Sequence, residues 1–322
     1  MRIDEILNTT RPCFSVEYFP PKTDEGRATL FETVEVLREL EPAYFSVTYG
    51  AGGATREGTL ETTRAIRDEY GVEAMAHLSC VGETAERLRE IVERIADAGI
   101  ENILALRGDP PRGQTDFVQP EGGLGSAAEL AGMISDTHPE LAIGGSCFPE
   151  VHPEAPSPEA DLAYLKTKIE NGATFLITQL FFDNRHYFDF VPAARAAGID
   201  VPIIAGVMPI TSYAQIRRFC EICEASIPTP LAAAMEALNG DERAEFELGV
   251  AYAAQQCAEL LRGGAPGIHF YALNRWAATR AILSALRAAE PWETSTAATN
   301  TTASTAATRT AAGETEPAAI DA

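Results

Sequence analysis

Short runs of β-branched and aromatic residues alternate along the chain with longer stretches of helical periodicity. Strands are predicted over 13–19, 44–49, 73–79, 102–107, 141–148, 174–181, 201–207 and 268–273, with helical patterns between them, as at 59–70, 85–98, 158–171 and 187–197. In 85–98, Leu88, Ile91, Val92 and Ile95 recur at i, i+3, i+4 and i+7, which places them on one helix face. Asn171-Gly172 and Ala197-Gly198 read as helix stops just before the next strand. Eight strands, each followed by a helix, predict an α/β fold of the (β/α)8 TIM-barrel type, which typically takes about 250 residues. A doubly wound sheet would usually stop at about five or six strands. The connection between strands seven and eight is overlong and holds two helical stretches, 213–225 and 231–261, taken as an insertion within one domain. After Trp292 the chain turns Thr/Ala-rich without apolar periodicity. The expected organisation is one barrel over 1–292 and a disordered tail over 293–322.

This fold puts its active site at the carboxyl ends of the strands. The chemically unusual residues gather at those predicted ends: Glu17, Thr48-Tyr49-Gly50, His77, Arg107-Gly108-Asp109, Phe148 with His152, Gln179, and Tyr271 to Arg275. That concentration is the main sign of an enzyme. Strand alternation sets Ser15, Glu17 and Phe19 on one face, with Val16 and Tyr18 on the other. Glu17 is therefore expected among aromatic groups, where desolvation would raise its pKa and suit it to act as an acid; a Glu satisfied by an Arg in the barrel mouth is the alternative. Arg107-Gly108-Asp109-Pro110-Pro111 offers a cation, a glycine allowing close backbone approach and an acid on a stiffened loop. An Arg–Asp pair capping the strand would explain the same residues.

Charge narrows the partners. The net charge is −22, and Lys22, Lys166 and Lys168 are the only lysines. Such a surface repels nucleic acid and anionic lipid, so neither is expected as a partner, and it suits concentrated salt, where screening removes self-repulsion. No apolar run is long enough to span a bilayer, and Met1-Arg2-Ile3-Asp4-Glu5 does not look like a signal peptide, so a cytoplasmic location is expected. Six cysteines in 322 residues are too sparse for a disulfide framework. The five histidines show no H-x-x-x-H spacing, so no metal site is expected. Cys220-Glu221-Ile222-Cys223 is a lone C-x-x-C in a helical pattern and reads as two partly buried thiols. The stretches 50–53 and 122–125 do not form G-x-G-x-x-G between a strand and a helix, so any dinucleotide must lie across the barrel rim.

Seven ordered motifs resemble the methylenetetrahydrofolate reductase family of flavoprotein barrels. They are Ser15-Val16-Glu17-Tyr18-Phe19-Pro20-Pro21, Ser46-Val47-Thr48-Tyr49-Gly50-Ala51, Ala76-His77-Leu78, Leu104-Ala105-Leu106-Arg107-Gly108-Asp109, Pro149-Glu150-Val151-His152-Pro153-Glu154-Ala155, Ile177-Thr178-Gln179-Leu180-Phe181-Phe182-Asp183 and His269-Phe270-Tyr271-Ala272-Leu273-Asn274-Arg275. The resemblance implies bound FAD, with NADH or NADPH as donor, and a two-step hydride exchange that reduces methylenetetrahydrofolate to 5-methyltetrahydrofolate. It implies Glu17, Asp109 and Gln179 as the catalytic and substrate-contacting set, Glu17 being the general acid. Thr48, Tyr49, Ala51, His77, Arg107, Gly108, Asp109, Phe148, His152, Asp161, Tyr164 and Lys168 are then expected at the flavin, and Tyr213, Tyr271 and Arg275 at the substrate. Phe148 stands where a Tyr is common, and Tyr164 and Thr167 replace a polar and a basic residue near the adenosine end. A homo-oligomer is the expected assembly. Two other readings are another flavin barrel dehydrogenase acting on a C–N substrate and a non-catalytic binding protein on the same barrel.

Overall fold

Each predicted strand forms, a residue or more shorter at one or both ends: β1 (Cys13–Tyr18), β2 (Tyr44–Val47), β3 (Ala74–Ser79), β4 (Asn102–Leu106), β5 (Ala142–Cys147), β6 (Phe175–Thr178), β7 (Ile203–Val207) and β8 (Gly267–Tyr271). The computed structural model of the chain describes residues 1–49, 53–109 and 117–293, with the backbone alone for 53–56. The strands pair in parallel in chain order, and β8 closes against β1 to complete the barrel. Around them run α1 (Ile3–Thr9), α2 (Asp24–Arg38), α3 (Gly53–Tyr70), α4 (Ala85–Asp97), α5 (Ala127–Thr137), α6 (Pro158–Glu170), α7 (Asn184–Ala196), α8 (Tyr213–Cys223), α9 (Thr229–Glu236), α10 (Glu242–Arg262) and α11 (Trp276–Ala289). The tail predicted over 293–322 lies, from residue 294 onward, outside the described residues. Among the described residues no helix is long and apolar enough to cross a membrane.

Period-two alternation decides what each strand shows to each side. Phe14, Val16 and Tyr18 of β1 point to the helical layer and join its core with Leu30, Val34 and Leu37 of α2. Ser15 and Glu17 point into the barrel, in register with His269 and Tyr271 of β8. Gly172 and Gly198, at the expected helix stops, adopt φ of 105° and 81°, a region open to glycine because it lacks Cβ.

Two features depart from the expected pattern. The helical stretch predicted over 231–261 is two helices, because Asn239 and Gly240 take left-handed backbone with φ of 52° and 80°. Asp241 then caps α10 by accepting from the amides of Arg243 and Ala244. The second is α1, which seals the amino end of the barrel. Ile3, Ile6 and Leu7 pack on Tyr44, Met75, Leu104 and Phe175 inside it, each burial contributing roughly 1.5–3 kcal/mol. The buried Asn102 side chain fixes this plug, accepting from the Ile3 amide at 2.7 Å and donating to Met1 O and Glu73 Oε1 at 3.1 and 3.0 Å. One end of the barrel is thus closed by apolar packing, which leaves the carboxyl end for ligands.

Candidate active site

Two cavities open at the carboxyl end and meet. The larger, about 740 Å³, lies over the barrel mouth and is lined by Glu17, Thr48, Tyr49, His77, Tyr271 and the carboxyl-end loops. The smaller, about 470 Å³, lies between the loops after β4 and β5 and α6, and is lined by Arg107, Gly108, Phe148, His152, Asp161, Tyr164 and Lys168. Leu106, Asp109, Ser146 and Gln179 line both and form the passage between them.

At the floor of the larger cavity a carboxylate sits between two imidazoles. Glu17 Oε2 lies 3.4 Å from His269 Nε2 and 3.6 Å from His77 Nε2. Ser15 Oγ lies 2.8 Å from His269 Nδ1; with the ring proton on Nε2, that N–H faces Glu17 and Nδ1 accepts from the serine hydroxyl. Burial pushes the Glu17 carboxyl up, but the His269 hydrogen bond and the electrostatic pull of the two flanking imidazoles hold it below the usual carboxylate range. The expectation of a raised Glu17 pKa among aromatic groups is therefore corrected: barrel closure surrounds it with hydrogen-bonding imidazoles. Burial pushes His77 down to about 4 against the pull of Glu17, so that ring is neutral at neutral pH. Tyr271 donates its hydroxyl to Thr178 O at 2.6 Å. Gly206 makes room for this contact, since a Cβ there would stand 2.3 Å from Thr178 O and 2.6 Å from the Tyr271 hydroxyl.

Loop and helix residues build the smaller cavity. Arg107 forms a bidentate pair with Glu154 at 2.5 and 2.6 Å, and its guanidinium lies 4.9 Å over the Phe117 ring. The arginine's partner is thus Glu154 and not the neighbouring Asp109 considered from sequence. Gly108 has φ of 89°, and a Cβ there would stand 2.8 Å from Val81 Cγ1. Phe148 packs edge-on to His152, with ring centroids 4.5 Å apart. Asp161 Oδ2 accepts from the His152 amide at 3.1 Å. Lys168 is buried and donates to Ser146 O at 2.5 Å; burial pushes its pKa down to about 8, with Cys147 and Asp161 pulling the other way.

A family model described as methylenetetrahydrofolate reductase matches residues 2–287. The chain belongs to the methylenetetrahydrofolate reductase family. It is 38% identical over 272 residues to 5,10-methylenetetrahydrofolate reductase of Salmonella typhimurium, covering 84% of this chain and 90% of that protein. It is also 38% identical over 285 residues to methylenetetrahydrofolate reductase (NADH) 1 of Arabidopsis thaliana, covering 84% of this chain and 48% of the plant protein. The chain thus spans about half the length of the plant relatives and most of the bacterial one. An uncharacterized protein from Clostridium thermocellum that binds two copies of 5-methyl-5,6,7,8-tetrahydrofolic acid shares the fold. Its TM-score is 0.60 at 17% identity, over 88% of this chain and 97% of that one.

Most of the described residues expected from the reductase motifs line one cavity or both, and two do not. Ala51 lies outside the described residues. Tyr213 and Arg275 line neither cavity. Tyr213 begins α8, where its hydroxyl donates to Glu236 at 3.2 Å and its ring faces the Arg217 guanidinium. The face of α8 that meets the larger cavity carries Phe219 and Cys223, four residues apart, as helical periodicity requires. Arg275 stands at the N-cap position of α11 without a side-chain capping bond and is exposed. His269 was not singled out from sequence, although it stands two residues before Tyr271 on the inward face of β8; strand alternation carried that signal.

Proposed function

We propose that the chain reduces 5,10-methylenetetrahydrofolate to 5-methyltetrahydrofolate, with FAD as its resident carrier and NADH or NADPH as donor. The observation that carries this reading is the Glu17 carboxylate on the floor of a cavity that joins, past Asp109 and Gln179, a second cavity holding a buried ammonium. Two features fit a flavin dinucleotide. Lys168 is a buried cation lining the smaller cavity, suited to a phosphate, and His77 Nε2 is a buried nitrogen without a hydrogen-bond partner at the wall of the larger one. The larger volume lies within the usual range of about 300–1,000 Å³ for small-molecule sites.

When bound, FAD supplies the hydride carrier between donor and folate. The protein's part is proton and charge management. Glu17 takes a proton from solvent and delivers it to N10 of the bridged folate as the five-membered ring opens to a 5-iminium cation. The anionic resting state of Glu17 means that substrate must cover it, displacing water so that burial outweighs the pull of the imidazoles. Asp109 places a negative charge beside that cation, and Gln179 contacts the ring of whichever substrate is present. Its Oε1 accepts from the Leu180 amide at 2.8 Å, which orients the amide group. The test is anaerobic stopped-flow of FAD-reconstituted protein. Expected are bleaching of the flavin by NADH or NADPH and recovery of its colour on adding methylenetetrahydrofolate. Bleaching without recovery would point to another flavin dehydrogenase, and failure to retain FAD would favour a binding protein.

A further inference from the structure

We infer that Lys22 is the anion-recognition residue of the larger cavity, holding a phosphate or carboxylate that a substrate carries away from its reacting ring. The inference rests on the reductase reading above. Lys22 lines the cavity beside Phe19 and Pro20, at the exit of β1, whereas Glu17 lies inside the barrel within that strand. The other acid–base side chains lining it are Glu17, Asp109, His77, Tyr49, Tyr271 and Cys223, so among the described residues Lys22 is the one Lys or Arg there. His77, pushed down to about 4 by burial, adds no charge at neutral pH. In a chain with three lysines and a net charge of −22, a lysine at this lip is conspicuous.

Three contacts hold its loop in place. Asn274 clamps the Phe19 backbone from both sides, its Oδ1 accepting from Phe19 N at 2.8 Å and its Nδ2 donating to Phe19 O at 2.9 Å. Leu273 and Asn274 both adopt left-handed backbone, with φ of 52° and 58°, to make that clamp. Thr33 of α2 donates to Asn274 O at 3.1 Å, and Thr23 caps α2 by accepting from Gly26 N at 3.0 Å. Pro20 and Pro21 stiffen the segment between. Asp24 and Glu25 follow at the start of α2, and among the described residues Lys22 forms no hydrogen bond or ion pair with either. Among the described residues nothing pairs with its ammonium, which faces an incoming anion.

Both proposed substrates have the matching shape. A reduced nicotinamide dinucleotide carries its pyrophosphate one ribose away from the ring, and a folate carries its carboxylates beyond an aminobenzoyl spacer. Each would set its ring on the Glu17 floor and its anion toward the lip. The acidic surface repels both anions, and screening over about 10 Å at 0.1 M salt leaves the local cation at the mouth to favour entry.

The experiment uses full-length FAD-reconstituted protein and its Lys22→Gln and Lys22→Arg variants. Dissociation constants come from the concentration dependence of flavin bleaching by the dinucleotide and of reoxidation by methylenetetrahydrofolate. Lys22→Gln is expected to raise at least one of them about tenfold with unchanged limiting rates, and Lys22→Arg to restore most of it. The difference should shrink as NaCl is raised. A rise for the dinucleotide alone assigns the pyrophosphate, a rise for folate alone assigns the carboxylates, and both together assign a shared subsite. Unchanged constants in both half-reactions, or a fall in limiting rate alone, overturn the inference. Failure of the unaltered protein in either half-reaction would instead overturn the reductase reading.

Discussion

The two cavities differ in what their polar groups stand on. In the larger one Glu17, His77 and Tyr271 belong to strands β1, β3 and β8, held by ladder bonds on both sides. In the smaller one Arg107, His152 and Glu154 belong to loops, and Asp161 and Lys168 to α6. Strand-borne groups converge inside the barrel, so they share desolvation and set one another's protonation. Loop-borne groups reach water: Glu154 is 56% exposed, and its pair with Arg107 is screened. Under the proposed function, the first cavity would serve proton chemistry and the second would hold an anionic ligand.

The sharpest way to break this comparison is Glu17→Gln. The folate half-reaction is expected to slow by about 10²–10⁴-fold while bleaching by the nicotinamide donor changes only a few-fold. Stopped-flow of both steps reads this directly, and equal loss in both would deny the larger cavity its proton role. In the unaltered protein the folate step should slow as pH rises, because it needs Glu17 protonated and the resting carboxyl lies below the usual range.

A smaller effect concerns stability. His77 has a folded pKa of about 4 against 6.5 in the free residue. Between those values the unfolded chain binds a proton that the folded chain refuses, so stability is lost as pH falls through that window and is unaffected above it. His77→Gln should remove on the order of 3 kcal/mol of that slope between pH 7 and 4. Denaturant titrations of both proteins across that range provide the check; parallel slopes would mean that His77 does not carry this proton.

The smallest effect separates binding from folding in the second cavity. Lys168→Met removes a buried ammonium whose desolvation the fold must offset, so thermal stability should hold or rise. FAD affinity should fall about tenfold, measured by fluorescence titration of the apoprotein. Loss of stability with unchanged FAD affinity would make Lys168 a structural residue.

Much of this architecture was legible in the residues themselves. Alternation along 13–19 placed Glu17 on the inward face, and Asn-Gly and Ala-Gly pairs marked helix ends, because both rules act within a few residues. Asp109 and Gln179 were picked out because polar residues at the carboxyl ends of apolar strands stand out, and both line the two cavities. The Asn239-Gly240-Asp241 break also had a local signal that apolar periodicity alone passed over.

The chain's own order of residues determined that there would be a barrel, which end would hold the candidate site, and which acid would stand on its first strand. Only the closed barrel decided that acid's charge. His269, 252 residues away along the chain, comes within 3.4 Å of Glu17 because β8 pairs with β1. The choice of Glu154 over Asp109 as the partner of Arg107, and of Phe219 over Tyr213 at the cavity, was made in the same way. Periodicity is a property of neighbours in sequence, whereas a pKa or an ion pair depends on distances that exist only once remote strands and loops have met.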